Sequence, residues 1–238
     1  METYQFSEEE IALIKNRFRR LDLVSPTIWS GVLDFESEYN GNVIQDEYKI
    51  EIIIPVKYPA AIPIMREVGG RSEAVAKKYE ITDLRNLHRN QSNGSSCLCV
   101  RQEEQRRFPP GSNLLKFIDD LAIPYLYGLS YFDEHGRWPW GDYSHGGLGL
   151  LEFYSEDPIE QTREGVEELS TNFRLDDNWR EYSKQIRKPS PDKPCICHSG
   201  IPFQKCHYRA WLGLLRICTD IKRLGLNSNK LFQHQYQK

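Results

Sequence analysis

Two groups of side chains in this sequence are of types that do chemistry, and both are built on cysteine. The first is Cys97, with Cys99 two residues on, at the end of the polar run His88-Arg-Asn-Gln-Ser-Asn-Gly-Ser-Ser. A cysteine thiolate accepts an acyl group as a thioester, which keeps the carbonyl activated for a second attack by an amine or another thiol. Ser92, Asn93 and Gly94 are turn formers, and Gly94 is free to take positive φ, so the spacing predicts that Cys97 emerges at or near the surface. The competing reading is a small buried hydrophobe with no reactive role. In an extended segment residues 97 and 99 share a face, so either thiol is a candidate nucleophile. The pair could also form a disulfide that competes with acyl transfer. The second group is Cys195-Ile-Cys197 followed, after eight intervening residues, by Cys206-His207. Three thiolates and an imidazole in so short a span can complete a tetrahedral zinc site, and four protein ligands leave no open position, so such a zinc is structural. His198 lies beside this set, either competing as a ligand or sitting outside it. Cys218 falls in an apolar helical pattern with Trp211, Leu214 and Leu215 and is assigned to packing.

The elements that must position these residues are legible as patterns. Ser7 with Glu10 forms a capping box, after which Ile11, Ile14, Phe18 and Leu21 recur at helical spacing until Pro26. Runs rich in β-branched and aromatic residues, Ile28 to Tyr39 and Tyr48 to Val56, flank Asn40-Gly41-Asn42 and predict an antiparallel hairpin. A third strand is expected near Ile64, then a break at Gly69-Gly70 and a helix over 72–79. Another helix should begin at Asn113 and be interrupted at Pro124. The segment from Tyr125 to Tyr154, dense in Trp, Tyr, Gly and Pro, is expected to pack irregular structure onto a core rather than to stack nucleobases. Residues 156–190 turn acidic, then basic and proline-bearing, which predicts a partly helical linker. No internal repeat is present.

The chain has 238 residues, enough for one substantial domain and an appendage. A formal net charge of −3 supplies no overall basic field, which argues against nucleic-acid binding by the whole chain. The run Arg101 to Arg107 also carries Glu103 and Glu104 and reads as a solvated loop. The acidic, polar start and the lack of a long apolar run predict a cytoplasmic protein with no signal peptide and no membrane span. In such a chain six cysteines point to metal binding or reactive thiols before disulfides.

The order of the motifs carries a resemblance. Residues from about 7 to 150 resemble the ubiquitin-conjugating-enzyme (UBC) fold. Tyr58-Pro59-Ala-Ala-Ile-Pro63 is similar to its proline-bearing turn, His88-Arg89-Asn90 to its His-Pro-Asn with arginine for proline, and Gly94-Ser-Ser-Cys97-Leu98 to its Gly-x-x-Cys-Leu. The block Gly136-Arg-Trp-Pro-Trp-Gly-Asp-Tyr-Ser-His145-Gly looks like the divergent prokaryotic members, found in ubiquitin-like conjugation operons and in CBASS anti-phage defence. Cys195-x-Cys197, Ser199-Gly200, Phe203 and Cys206-His207 resemble the SEC-C zinc motif of the SecA translocation ATPase and many other bacterial proteins, with His198 where that family usually has glycine.

The resemblance implies an α+β protein: a UBC-like domain over 1–155, with an N-terminal helix, an antiparallel meander and C-terminal helices; the linker over 156–190; and a SEC-C zinc module with a terminal helix over 191–238. Cys97 then inherits the role of acyl carrier, with Cys99 as alternative nucleophile. Asn90 is the oxyanion donor, Asn86 and Asn93 being nearby substitutes. His88 supports the turn, and Asp119 and Asp120 receive no role. The implied reaction is thioester formation with the C-terminus of a partner, a ubiquitin-like protein or a cGAS-like nucleotidyltransferase, with an activating enzyme where one is required. Two other readings stay open: a catalytically inert UBC-like binding module, and a SecA-like adaptor that uses the zinc knuckle as its contact surface.

Overall fold

The computed structural model describes residues 3–231, except 91, 101, 102, 142, 158, 175 and 177. The protein is α+β and divides into two compact units, Met1–Gly141 and Asp142–Lys238. Among the described residues no helix is long and apolar enough to cross a membrane.

The first unit opens with α1 (Glu8–Arg17), whose capping box is complete: Glu10 N donates to Ser7 Oγ and Ser7 N donates to Glu10 Oε2. The helix stops earlier than its apolar spacing predicts. Leu21, expected as its last apolar position, instead begins β1 (Leu21–Ser25). The alternation Leu21-Asp-Leu23 lets the chain pair with β2 (Ile28–Tyr39), Leu21 and Leu23 facing inward. Gly31 of β2 makes this pairing possible. It sits at a φ of +149°, and a Cβ there would lie 2.0 Å from the Arg20 carbonyl oxygen.

β2 pairs antiparallel with β3 (Asn42–Ile53) through a two-residue Asn40-Gly41 turn, both residues at positive φ, the geometry that favours Asn-Gly in tight hairpins. β3 starts six residues before the apolar run at Tyr48, because its hairpin end alternates buried Ile44 with exposed Val43 and Gln45. β4 (Ile64–Glu67) completes a four-stranded sheet in the order β1-β2-β3-β4. Buried Glu67 then accepts from Gly69 N and Ser72 N at the start of α2 (Arg71–Lys78).

After a 3-10 turn at Leu84–Leu87 comes the short α3 (Glu104–Arg107). The run Arg101 to Arg107 is thus helical where described, with Glu103 pairing with Arg106 and Arg107, while Arg101 and Gln102 lie outside the described residues. Asn113 caps α4 (Leu114–Phe117), a π turn follows at Ile118–Ala122, and α5 (Ile123–His135) runs on to Gly136. The expected break at Pro124 does not occur. Proline lacks a backbone donor and its ring crowds the preceding turn, and the wider π turn just before it absorbs both demands.

Inner-face residues of the sheet, among them Trp29, Leu33, Tyr48, Ile50, Ile52 and Met65, pack in one core with Phe117, Ile118, Leu126 and Leu129. Trp138 is buried in the same core, and Gly128 leaves room for it, since a Cβ there would be 2.4 Å from the indole.

The second unit has its own core. It is built by α6 (Gly146–Glu156), α7 (Arg163–Arg174), α8 (Trp179–Arg187), the single turn α9 (Phe203–Cys206), α10 (Tyr208–Arg223) and α11 (Ser228–Leu231). Two expectations change here. Most of the aromatic segment is helical, in α5 and α6. Residues 156–190, expected as a partly helical linker, do carry helices, but these supply Val166, Leu169, Phe173, Tyr182 and Ile186 to the second core.

α6 and α10 approach closely at Gly213, where a Cβ would fall 1.9 Å from the Leu151 carbonyl oxygen. Gly213→Ala is therefore expected to cost about 2 kcal/mol or more by overpacking, lowering the unit's Tm by roughly 10 °C. Gly141→Ala, with nothing within 4 Å of the added Cβ, is the control. Thermal unfolding measures both, and equal transitions for the two variants refute the account.

Candidate functional site

The turn that presents Cys97 is held by backbone bonds from both sides. Ser96 N donates to Met65 O of β4 at 2.8 Å and Cys97 N donates to His88 O at 2.6 Å. Isolated bridges join Arg66 to Ser95 and Arg89 to Ser96. Gly94 closes the turn at a φ of +68°, its N donating to Asn90 O at 2.9 Å. The Asn-x-Ser spacing adds a local lock, as Ser95 N and Oγ both donate to Asn93 Oδ1 at 3.0 and 2.8 Å.

His88 sits at a φ of +50° with its ring edge-on to Trp138, 4.7 Å between centroids. Trp138 Nε1 in turn donates to Asn86 O at 3.2 Å. Arg89, largely buried, pairs with Glu73 of α2 and lies beneath Gly94, its Nη2 3.3 Å from where a Cβ would be. The support from Trp138 comes from fifty residues downstream, and no local pattern around His88 signals it.

This framework separates the two thiols that the sequence leaves equivalent. Cys97 is exposed, whereas Cys99 is half-buried and packs against the first core. The segment departs from a regular strand, and the two thiols differ in burial. Burial, aided by the nearby carboxylates of Glu104 and Glu103, pushes the Cys99 thiol up to about 12. At mildly alkaline pH iodoacetamide is expected to alkylate Cys97 many times faster than Cys99, because the thiolate is the reactive form and Cys99 is both covered and protonated. Peptide mapping after timed quenching checks this, and equal labelling of the two would contradict the geometry.

The amide of Asn90 is already engaged, its Nδ2 donating to Ser95 Oγ at 2.8 Å. Asp119 pairs with Arg17 and Asp120 with Lys116, so both carboxylates are tied to surface ion pairs.

In the second unit Cys195, Cys197, Cys206 and His207 converge, all four donor atoms lying within 4.8 Å of one another. Cys195 Sγ is 3.2 Å from His207 Nδ1, and Cys197 Sγ is 3.5 Å from Cys206 Sγ. The local chain makes this convergence. Cys195 N donates to Ile201 O and Phe203 N to Lys193 O, folding the 193–203 stretch back on itself through a Pro194–Pro202 bridge. Phe203, fully buried, anchors α9, whose single turn carries Cys206 and places His207 next to it.

A tetrahedron with metal–sulfur bonds of about 2.3 Å has edges of about 3.8 Å, so the spacing and the donor chemistry fit a four-coordinate metal ion. Burial pushes the Cys195 thiol up to about 12. Burial also opposes the Cys197 thiolate, but hydrogen bonds from Ser199 and the neighbouring thiols outweigh it and bring Cys197 down to about 7. A bound cation would hold the thiols deprotonated.

His198 stands outside the cluster, its Nε2 3.0 Å from Asn178 Oδ1. Cys218 is also outside, its thiol donating to Ile186 O at 3.2 Å. A contact that the spacing did not single out is that of Ser199, whose Oγ is 3.2 Å from Cys206 Sγ. No protein-family model, curated protein or solved structure matches this chain.

Proposed function

We propose that the first unit is a UBC-like acyl carrier working through Cys97, and that the second is a SEC-C-like module holding one structural zinc. The observation that carries the first part is the exposed thiol of Cys97 on a turn fixed by backbone bonds to β4 and to His88. Its support is the order of elements: α1, an antiparallel meander, the Tyr58–Pro63 turn, the His88-Arg89-Asn90 segment, the thiol, then long helix α5.

In the proposed reaction Cys97 loses its proton and Sγ attacks the carbonyl carbon of a partner's activated C-terminus. The C–S bond forms as the bond to the activating group, a thiolate or an adenylate, breaks. An amine then attacks the same carbon, the C–N bond forms, the C–S bond breaks and the sulfur leaves as thiolate, the amine's proton passing to solvent. Asn90 is the donor for the oxyanion, a role that requires its amide to turn from Ser95 towards the reacting carbonyl. His88 braces the turn against Trp138.

For the second unit, three sulfurs and one imidazole nitrogen at tetrahedral spacing suit zinc, which prefers Cys and His ligands. His198 takes the left-handed φ of +62°, the region glycine enters most readily, at the position where SEC-C motifs usually carry glycine.

The partner in this reading is a protein with a free C-terminus, a ubiquitin-like protein or a cGAS-like nucleotidyltransferase of an anti-phage pathway. The test is intact-mass analysis after incubation with those candidates, ATP and an activating enzyme. A covalent adduct released by hydroxylamine supports the proposal, and its absence with every candidate sinks it.

A further inference from the structure

α10 buries one face and leaves another uncovered. Ala210, Trp211, Gly213, Leu214, Ile217 and Ile221 point into the second core. On the opposite side Tyr208, Leu212 and Leu215 are 56, 40 and 38 % exposed, large fractions for apolar side chains on a helix that is otherwise well packed. Thr219 and Lys222 continue the same line at i+11 and i+14 from Tyr208, so the face is a seam of alternating three- and four-residue steps, the spacing that lets two helices lie along each other. Thr219 Oγ1 donates to Leu215 O at 3.0 Å, which satisfies its hydroxyl on its own helix.

The charges beside the seam limit what can cover it. Arg209 pairs with Glu156 at 2.6 Å, and Arg223 with Glu160 and Asp220 at 2.9 Å each. Arg216 donates to the carbonyls of Tyr154 and Ile159. This flank is neutralised within the unit, so it does not call for an acidic partner. Lys222 makes no ion pair among the described residues.

We propose that this face is a two-fold interface between two copies of the chain, with α10 packed antiparallel on α10 about Leu215. Antiparallel pairing sets Leu215 against its own copy, Leu212 beside Thr219 and Tyr208 under Lys222, so each exposed ammonium meets an aromatic face, twice by symmetry. Parallel pairing would bring the two Lys222 side chains together and is disfavoured by their charge. Three apolar side chains a side make a small contact, so the dimer is weak and reversible. The inference is independent of the acyl-carrier reading.

Sedimentation velocity on the zinc-loaded full chain, from micromolar to near-millimolar concentration, is expected to show a monomer–dimer equilibrium. Leu215→Lys places two charges on the symmetry axis and should weaken dimerisation by at least roughly tenfold. Tyr208→Lys should do the same, and adding Lys222→Glu to it should restore the dimer, because only the antiparallel register makes 208 and 222 neighbours. All three positions are exposed, and circular dichroism with metal content verifies that the variants fold. A wild-type chain that stays monomeric throughout, a dimer indifferent to Leu215→Lys, or a charge swap without rescue each overturns the proposal.

Discussion

Replacing Cys195 and Cys197 together by serine is expected to abolish metal binding at the proposed zinc site and unfold the second unit, while the first keeps its structure. The ligand loop is part of that unit's core: Cys195, Ile196 and Phe203 are buried with Leu214, Ile217 and Tyr182. Losing the metal therefore exposes apolar surface as well as breaking coordinate bonds. Metal binding to sites of this kind carries about 10–16 kcal/mol of apparent free energy in small zinc-finger peptides at neutral pH, as much as the whole ~5–15 kcal/mol by which a domain is ordinarily stable. Elemental analysis of wild-type protein purified without chelator should give about one zinc per chain. The double serine variant should give none, with hydrogen exchange turning fast in α6, α8 and α10 and remaining slow in β2 and β3. Acid should have the same effect on the wild type, since protons compete with the metal for three thiolates and an imidazole. Wild-type protein without metal, or a double variant that keeps both its metal and its exchange protection, refutes the assignment.

The Cys195, Cys197, Cys206 and His207 cluster was readable because its four members lie within thirteen residues and their types are the message; a set of donors that could hold a metal needs little beyond short spacing. The same holds for the capping box at Ser7 and Glu10 and for the Asn40-Gly41 turn, where a local rule and the local structure coincide. Leu21 fell on the wrong side of a boundary because a leucine at helical spacing from Phe18 serves a strand equally well. What decides is the partner strand, which approaches there only because Gly31 has no side chain. Pro124 misled for a related reason: a proline breaks a regular helix, and the π turn before it is an adjustment that pattern does not announce.

Residues 156–190 looked like a linker because their polar faces dominate the composition. The amphipathic period of α7 and α8 buries only one stripe of each helix, Val166, Leu169 and Phe173 in one and Tyr182 and Ile186 in the other. Around the thiol, the turn residues Asn93 and Gly94 were visible in the sequence. The difference between Cys97 and Cys99 was not, since it depends on which of the two the first core covers.

That difference sets the outcome of the variant series at the thiol. With the partner protein, ATP and activating enzyme present, Cys97→Ala is expected to abolish the covalent adduct completely, while Cys99→Ala retains it at nearly the wild-type level. The half-buried Cys99 is protonated at neutral pH and cannot stand in for its neighbour. Cys97→Ser should form less adduct, but one that survives neutral hydroxylamine, because an alkoxide is a far poorer leaving group than a thiolate. Asn90→Ala should leave Cys97 open to alkylation yet slow acyl transfer by roughly 100-fold or more, the usual cost of one oxyanion donor. Ser95→Ala separates positioning from chemistry. It removes the acceptor that holds the Asn90 amide at 2.8 Å, so transfer should persist in it if Asn90 turns to the carbonyl during reaction. Loss of the adduct in Cys99→Ala with retention in Cys97→Ala would move the role to Cys99. Retention in the double alanine variant would remove cysteine from the mechanism, and an adduct already stable to hydroxylamine in the wild type would show that the bond is not a thioester.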